Sequence, residues 1–333
     1  MALLNRFKQK LFIIFILGNI SLFCGQTSFQ KNLSEATTFD QWFTGPLFTP
    51  MAITPASSHP ALEVTVGVKN QYGFYDSDWS IKNETDLWSI YNYLDLQLGF
   101  NSVLGMEFIG SWTNNFSGSA SSTRIQDTTV RLGFQVLNEV PGTWVPDFRI
   151  ILQEVFPTGQ HQKLNPKKNE TDLTGLGSFQ TGLYLAFQKL FKLNEYHSFQ
   201  MRFSAGYFVP APVHVKSFNA YGGGFGTRGK IYPGNYISIY SSGEYNLNSR
   251  WAIAYDANFQ YNFKGRFSGK PGRTTTGEKA SVEALEMVQF TLAPEIEHTF
   301  TENTGMLLGV WFSVFGKNAP AFASAFFAIL HVF

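Results

Sequence analysis

The sequence predicts an all-β fold: a transmembrane antiparallel up-and-down β-barrel of about twelve strands, preceded by an irregular N-terminal segment. Three observations predict it, namely alternating apolar and polar residues along most of the chain, a secretory signal at the start and a C-terminal phenylalanine. Charged residues make up 15% of the 333 residues, and aromatic residues make up 17%. This mixture fits strands with one face toward lipid and one toward a polar lumen, although a large soluble all-β protein would have a similar composition.

The first residues have the layout of a signal peptide. Basic residues precede an apolar run at 11–17, and small or polar residues follow that run. The run is shorter than the roughly 20 residues that a membrane-spanning helix needs. We therefore predict a signal peptide over residues 1–25 and a barrel over 62–333. Cys24 is the only cysteine, and the bulky Phe23 before it favours an ordinary signal-peptide residue over a lipidated cysteine.

Apolar and polar residues alternate most strictly over 251–264, which is the pattern of a strand with two different faces. Comparable segments predict strands near 62–75, 88–100, 103–115, 124–138, 146–156, 177–190, 197–209, 234–246, 249–264, 286–299, 304–315 and 321–333. Long connections are predicted at 76–87, 116–123, 157–176, 210–233 and 265–285. Long outer loops that alternate with short periplasmic turns are typical of outer-membrane barrels. The connection at 316–320 is short and departs from this alternation.

The predicted strands place many charged residues on their polar face. An Arg or Lys on the lipid-facing side would cost about 2–4 kcal/mol at the bilayer midplane, so these side chains must point inward. There they either line a hydrated path or form an ion-pair plug, and their mixed signs argue against strong selectivity for ions of one sign. The lumen-lining candidates are Glu63, Lys69, Asp95, Glu107, Arg131, Arg149, Arg202, Glu244, Asp256, Glu295 and Glu297.

Residues 26–61 do not alternate, and they contain several prolines that exclude a central strand. Their apolar content favours docking over a disordered chain. The segment is therefore either a periplasmic arm or a plug that folds into the lumen. The plug candidates are Trp42, Phe43, Pro46 and Phe48.

The last predicted strand ends on the terminal residue of the chain. Phe333, Ile329 and Phe327 resemble the C-terminal signal of outer-membrane proteins, whose final aromatic residue is recognised by the barrel-assembly machinery. His331 departs from this signal, and apolar residues on both faces of the strand leave its register open. The resemblance implies the cell outer membrane as the location, with outer-membrane lipid and the assembly machinery as partners.

A short motif and the layout of the whole mature chain resemble a family of Gram-negative barrels. Residues 42–47, with the sequence Trp-Phe-Thr-Gly-Pro-Leu, and the region 72–79 are similar to the MetA-pathway phenol-degradation channel family. That family is itself loosely similar to fatty-acid and aromatic-hydrocarbon transporters of the outer membrane. The resemblance implies a channel for small solutes, hydrophobic or aromatic ones included, and it supplies no catalytic residue.

Two short motifs suggest phosphate binding or hydrolysis by their residue pattern alone. Residues 224–230 resemble a glycine-rich phosphate loop, but Pro233 prevents the helix whose N-terminus would bind the phosphate. His197 and Ser198 begin a strand, as in barrel lipid hydrolases, yet the sequence identifies no third catalytic residue. The six histidines have no metal-ligand spacing, and the net charge of +1 gives no sign of nucleic-acid binding. We expect no enzyme, catalytic residue, metal or cofactor.

Three functional hypotheses therefore remain. The first is an outer-membrane channel or transporter for small solutes. The second is a surface-exposed structural or interaction barrel, in which the lumen is closed and the long loops bind a partner. The third is a lipid-modifying barrel enzyme, and a soluble secreted all-β protein is the alternative for the fold.

Overall fold

The computed structural model describes residues 43–333. The predicted signal peptide, Cys24 and Trp42 therefore lie outside the described residues. In chain order the strands are β1 (Ala61–Tyr75), β2 (Ile81–Gly99), β3 (Leu104–Ser117), β4 (Ala120–Ile125), β5 (Thr128–Leu137), β6 (Asp147–Phe156), β7 (Gln180–Lys192), β8 (Ser198–Pro210), β9 (Val213–Lys216), β10 (Arg228–Tyr232), β11 (Tyr236–Asn246), β12 (Trp251–Asn262), β13 (Arg266–Lys270), β14 (Met287–Thr301), β15 (Thr304–Lys317) and β16 (Ala319–Val332). A 3-10 helix spans Pro166–Lys168, and no helix among the described residues is long and apolar enough to cross a membrane.

The main sheet closes on itself. It contains thirteen strands, and β4 pairs with β3 alone, so that twelve strands form a ring in the order β1, β2, β3, β5, β6, β7, β8, β11, β12, β14, β15, β16. Every pair is antiparallel, and β1 pairs with both β2 and β16. Closure satisfies the backbone hydrogen bonds of every strand and leaves no free edge, which a strand structure in lipid requires. The predicted fold class and the predicted number of strands are confirmed.

The strands present an apolar outer face and a more polar inner face. On β1, Val64, Val66 and Val68 are between 37% and 44% exposed, whereas Thr65 between them is fully buried. This alternation continues around the barrel and gives an apolar band that matches the lipid-facing surface of a membrane barrel. The structure also fixes the register of β16, because Phe327 and Ile329 point outward.

The structure corrects two of the predicted loops. The predicted connection 76–87 is mostly strand, because β2 begins at Ile81 and the turn covers only 76–80. The predicted connection 116–123 is a hairpin, because β3 continues to Ser117 and β4 pairs back onto it. The reason is that these strands continue past the apolar band. Both faces are then free to be polar, and the alternation that identifies a membrane strand disappears.

The long connections fold into one layer at the end of the barrel opposite the C-terminus. β9, β10 and β13 form a separate three-stranded sheet within the connections 211–235 and 263–286. The connection 157–179 joins this layer, because the Ala220 amide donates to the carbonyl of His161 at 2.8 Å. The Asn115 side chain of β3 donates to the carbonyl of Thr171 at 2.9 Å, which attaches the same connection to the lumen-facing side of the barrel rim.

Candidate functional site: the barrel lumen

The structure places all eleven predicted charged residues on the inward side of their strands. Seven of them are almost completely buried, and these are Glu107, Arg149, Arg202, Glu244, Asp256, Glu295 and Glu297. The set contains seven carboxylates and four cationic groups. Burial of this many charges is tolerable only when hydrogen bonds or opposite charges compensate for the lost hydration. The partners of each group therefore define how the lumen is organised.

One ion-pair cluster joins three neighbouring strands. Glu107 of β3 accepts from Arg131 of β5 through one carboxylate oxygen and from Arg149 of β6 through the other, each at 3.1 Å. Arg131 also donates from Nε to the side chain of Gln153 at 2.8 Å. The shared carboxylate partly neutralises the charge of the two arginines and links three strands inside the barrel.

Glycine makes room for the Arg149 side chain. A Cβ atom built on Gly133 would lie 2.0 Å from Arg149 Nε, and one on Gly105 would lie 3.0 Å from Nη2. Any larger residue at Gly133 would therefore occupy the position of the guanidinium group. No sequence motif predicts this close approach, which determines the direction of the Arg149 side chain.

A second charged cluster lies on the opposite wall. Glu244 of β11 faces Arg202 of β8 at 3.6 Å and accepts a hydrogen bond from Gln200 at 2.8 Å. Glu297 of β14 belongs to the same region, and Glu295 lies two residues before it. Within residues 43–333, neither carboxylate oxygen of Glu295 has a hydrogen-bond partner. Carboxylates thus outnumber cationic groups on this wall.

The N-terminal segment follows the inner wall between the two clusters. The Thr44 amide donates to Glu297 at 3.0 Å. Further along, the Phe48 amide donates to Asp256 at 2.8 Å, and the Thr49 hydroxyl donates to the other oxygen of the same carboxylate. These contacts attach residues 44–49 to β12 and β14.

The following residues attach to the other side of the barrel. Ser204 of β8 donates to the carbonyl of Pro50 at 3.2 Å. Arg149 donates to the carbonyls of Met51 and Ile53 at 3.3 and 3.1 Å. The side chain of Gln135 of β5 accepts a hydrogen bond from the Thr54 amide at 2.9 Å and donates one to the carbonyl of Ala52 at 3.0 Å. The segment therefore crosses from β14 to β5 before it enters β1.

Apolar contacts add to these hydrogen bonds. The Phe48 ring lies 4.7 Å from the ring of Trp311 and 5.6 Å from that of Phe326. Ala52 is fully buried in a cluster that includes Ile151 and Tyr184. Of the predicted plug residues, Pro46 is buried and Phe43 and Phe48 are half-buried.

Aromatic residues line the half of the lumen nearer the outer loops, and sequence reasoning did not find this layer. Phe208 and Tyr236 are stacked at 4.5 Å, and Tyr184 contacts Phe208 edge-on at 5.1 Å. Tyr91 is also turned inward and shares a hydrogen bond with Ser324 at 2.8 Å. Aromatic residues are common on both faces of strands, so only their place in the alternation could have signalled an inward layer.

A cavity of about 40 Å³ lies where the aromatic layer meets the segment. It is lined by Phe48, Tyr240, Asp256, Asn258, Thr291 and Trp311. A space of this size with several polar groups can hold a few water molecules but no larger solute. Further passage along this side of the lumen would therefore require Phe48 to move.

The residues that suggested hydrolase chemistry are held by structural contacts. The His197 ring shares a hydrogen bond with the carbonyl of Asn246 at 3.0 Å and stacks on Tyr245 at 5.5 Å. The Ser198 amide, rather than its hydroxyl, donates to the Asn246 side chain. Over residues 43–333, no group of three or more His, Cys, Asp or Glu side chains is arranged to hold a metal ion.

Comparison with known proteins gives structural likenesses only. No protein-family model and no curated protein matches the chain. The structure is similar to the COG4313 outer membrane channel from Pseudomonas putida F1, with a TM-score of 0.63 and 13% identity over 88% of this chain and 100% of that chain. A FadL homologue from Pseudomonas aeruginosa has a TM-score of 0.33 and 9% identity over 83% of this chain and 90% of that one. With its closed ring of antiparallel strands and its apolar outer band, the chain has the fold of an outer-membrane β-barrel.

Proposed function

We propose that this chain is an outer-membrane channel or transporter for small solutes, in which residues 43–56 act as a plug. One observation carries the proposal: the lumen is crossed by a segment that is not part of the barrel wall. Separate hydrogen bonds and ring contacts hold this segment, and it has no strand pairing with the wall. Because the ring of strands closes without it, departure of the segment would break no strand pairing of the wall.

We infer that aromatic or hydrophobic solutes are the preferred cargo. The support is the aromatic layer, in which the partly exposed rings of Tyr236 and Tyr240 pack against the buried cluster that contains Phe208. Pairs of aromatic rings contribute about 0.5–1.5 kcal/mol beyond the burial of their surface. A solute with an aromatic ring would therefore concentrate just outside the plug.

The plug is tested by single-channel conductance in planar bilayers. We compare the intact mature protein with a variant that lacks residues 26–56 and keeps the turn before β1. We expect brief or rare openings in the intact protein and a larger, steady conductance after the deletion. Silence from both proteins, each shown to be folded by its resistance to unfolding in cold detergent, would contradict the channel.

The solute preference needs a separate measurement. Liposome swelling compares phenyl glucoside with cyclohexyl glucoside, which differ only in whether the ring is aromatic. We expect faster entry of the phenyl compound, and we expect Tyr236→Leu to reduce that difference. Equal rates for the two compounds would reject the aromatic preference and leave the channel itself in place.

A surface interaction barrel is the second candidate, and the folded layer of outer loops favours it. Loops that serve only as connections need no sheet of their own, whereas this layer has a sheet with a buried apolar cluster around Val215 and Ile231. The conductance experiment separates the two candidates, because a closed interaction barrel stays silent after the deletion. We also infer that the chain is not an enzyme, since the His197 ring shares its hydrogen bond with the carbonyl of Asn246 rather than with the hydroxyl of Ser198.

A further inference from the structure

The three-stranded sheet of β9, β10 and β13, which we call the outer sheet, extends the barrel wall. Three paired residues at the outer ends of β8, β11 and β12 face the lumen, namely Phe208, Tyr236 and Asn262. Eight residues further out along the same stretches of chain, the same pairing forms a cationic row on the outer sheet, namely Lys216, Arg228 and Lys270. The register between the strands is therefore unchanged from the wall to the outer sheet.

The junction between the wall and the outer sheet keeps this register. The Phe263 amide donates to the carbonyl of Asn235 at 2.9 Å, and these two residues continue the pairing of β11 with β12. Side chains alternate between the two faces of a strand, so residues an even number of positions apart share a face. The cationic row therefore stands on the face of the outer sheet that continues the inner surface of the barrel.

The two faces of the outer sheet differ in chemistry and in covering. On the face that continues the outer surface of the wall, Val213, Val215 and Ile231 are buried together with Val282, and Tyr221 packs against them. By contrast, all three residues of the cationic row are exposed to solvent. We call their face the basic face, and it consists of His214, Lys216, Arg228, Lys230, Tyr232, Arg266, Ser268 and Lys270.

The basic face carries unbalanced positive charge. Its five lysine and arginine residues share their face of the three strands with no acidic residue. Within residues 43–333, none of the five takes part in an ion pair, whereas Arg131, Arg149 and Arg202 inside the barrel each pair with a glutamate. Like charges directly opposite each other in a sheet destabilise it, so an anion bound among them would relieve this repulsion.

A tyrosine connects the basic face to the aromatic layer of the lumen. The Arg266 guanidinium lies 4.4 Å and the Lys230 ammonium 5.3 Å from the centroid of the Tyr232 ring. Tyr232 precedes Tyr236 by four residues, so the two tyrosines share a face and lie at most about 13 Å apart along the strand. A solute that moves inward along this surface therefore passes the cations first and the aromatic rings next.

We propose that the basic face binds the carboxylate of small aromatic acids and concentrates these solutes at the outer mouth of the barrel. The proposal rests on the channel function proposed above and specifies its substrate class. Arginine and lysine make charge-assisted hydrogen bonds to carboxylates, and a surface lined by one sign of charge raises the local concentration of solutes of the other sign. The aromatic layer, which comes next along the same surface, then accepts the ring of the same molecule.

Binding is measured with two fluorescent probes that differ in charge. Anthranilate carries a carboxylate beside its amino group, and anthranilamide carries a neutral amide in the same position. Each probe is titrated into the full mature protein in detergent, and its fluorescence anisotropy is recorded. We expect anthranilate to bind about tenfold more tightly than anthranilamide. Equal affinities for the two probes would overturn the proposal.

Two triple variants that lose the same charge locate the binding site. The row variant, Lys216→Gln/Arg228→Gln/Lys270→Gln, removes the cationic row. The control variant removes three exposed lysines outside the basic face, Lys82→Gln/Lys167→Gln/Lys279→Gln. We expect the row variant to bind anthranilate at least about fivefold more weakly and the control variant to stay within about twofold of the unchanged protein. Equal weakening in both variants would overturn the proposal, because the general charge of the protein would then explain binding.

Misfolding of the row variant cannot hide the outcome. Lys216→Arg/Lys270→Arg keeps the charge of the row and should retain anthranilate binding, whereas Arg228→Gln alone should weaken it measurably. Raising the salt concentration from about 0.1 M to 1 M shortens the screening length from about 10 Å to 3 Å and should weaken anthranilate binding to the unchanged protein. Binding that is insensitive both to salt and to Arg228→Gln would refute the proposal.

Entry into liposomes separates this proposal from the channel function. Radiolabelled phenyl glucoside and 4-carboxyphenyl glucoside are presented to liposomes that contain the unchanged protein or the row variant. We expect the row variant to slow entry of the charged glucoside at least about fivefold and to leave entry of the neutral one unchanged. Equal slowing of both glucosides would overturn the role of charge. Entry of neither compound would contradict the channel, and the anthranilate titrations would still decide whether the basic face binds carboxylates.

Discussion

Replacing Asp256 by asparagine tests how the N-terminal segment is attached to the lumen. The Asp256 carboxylate accepts one hydrogen bond from the Phe48 amide and one from the Thr49 hydroxyl. An asparagine side chain has a similar shape but only one acceptor oxygen, and its amino group would face one of these two donors. The variant therefore removes one attachment and leaves a mismatched pair in its place.

The size of the effect follows from the charge of the acceptor. Hydrogen bonds to a charged group contribute about 1.5–3 kcal/mol each. Because about 1.4 kcal/mol corresponds to a factor of ten in an equilibrium constant, loss of one such bond should raise the undocked fraction of the segment about 10- to 100-fold. In single-channel recordings, the time that Asp256→Asn spends in the conducting state should rise by the same factor until it saturates.

Glu295→Gln is the matched control. Glu295 is a buried lumen carboxylate on the adjacent strand, and within the described residues it makes no hydrogen bond to the segment. The Glu295→Gln substitution removes the same charge from the lumen without removing an attachment of the segment. The conductance of this variant should therefore match that of the unchanged protein. Equal increases in both variants would show that lumen charge controls opening. No increase in a folded Asp256→Asn protein would refute the role of this attachment.

Three other changes test the charged interior and the outer turns. Glu107→Gln leaves Arg149 without its carboxylate, so we expect a loss of about 3–5 kcal/mol in unfolding free energy by urea titration, and a loss under about 1 kcal/mol would contradict the pairing. Gly133→Ala puts a methyl group in the space of the Arg149 guanidinium, which should lower stability by about 1–3 kcal/mol and raise channel opening, whereas unchanged opening would show that Arg149 does not hold the segment. The hydrogen bond from the Ser80 amide, followed by those from Asp78 and Lys82, lowers the pKa of Asp76 below its ordinary value. These hydrogen bonds add stability that is present above the unfolded-state pKa of Asp76 and is lost as the pH falls through its folded-state pKa. An NMR titration of Asp76 with an ordinary midpoint would contradict the turn geometry.

Much of the barrel can be predicted from the sequence because each strand has one face toward lipid and one face toward the lumen. Alternation along 251–264 predicts which residues face lipid, and the structure turns Ile253 outward and Asp256 inward as that pattern requires. The cost of a charge in lipid likewise places Glu107 and Arg149 inside. Where the strands leave the membrane this constraint ends, which is why the loop predicted at 76–87 is mostly strand.

The sequence by itself determined the barrel, its number of strands and the inward side of its charges, because each follows from local alternation and the chemistry of lipid. Only the tertiary structure decided which charges meet, that Phe48 packs against Trp311, and that Lys216, Arg228 and Lys270 form one row. Each of these contacts joins residues far apart in the chain. Their geometry depends on how the ring closes and on the register between strands, which alternation within a single strand does not specify.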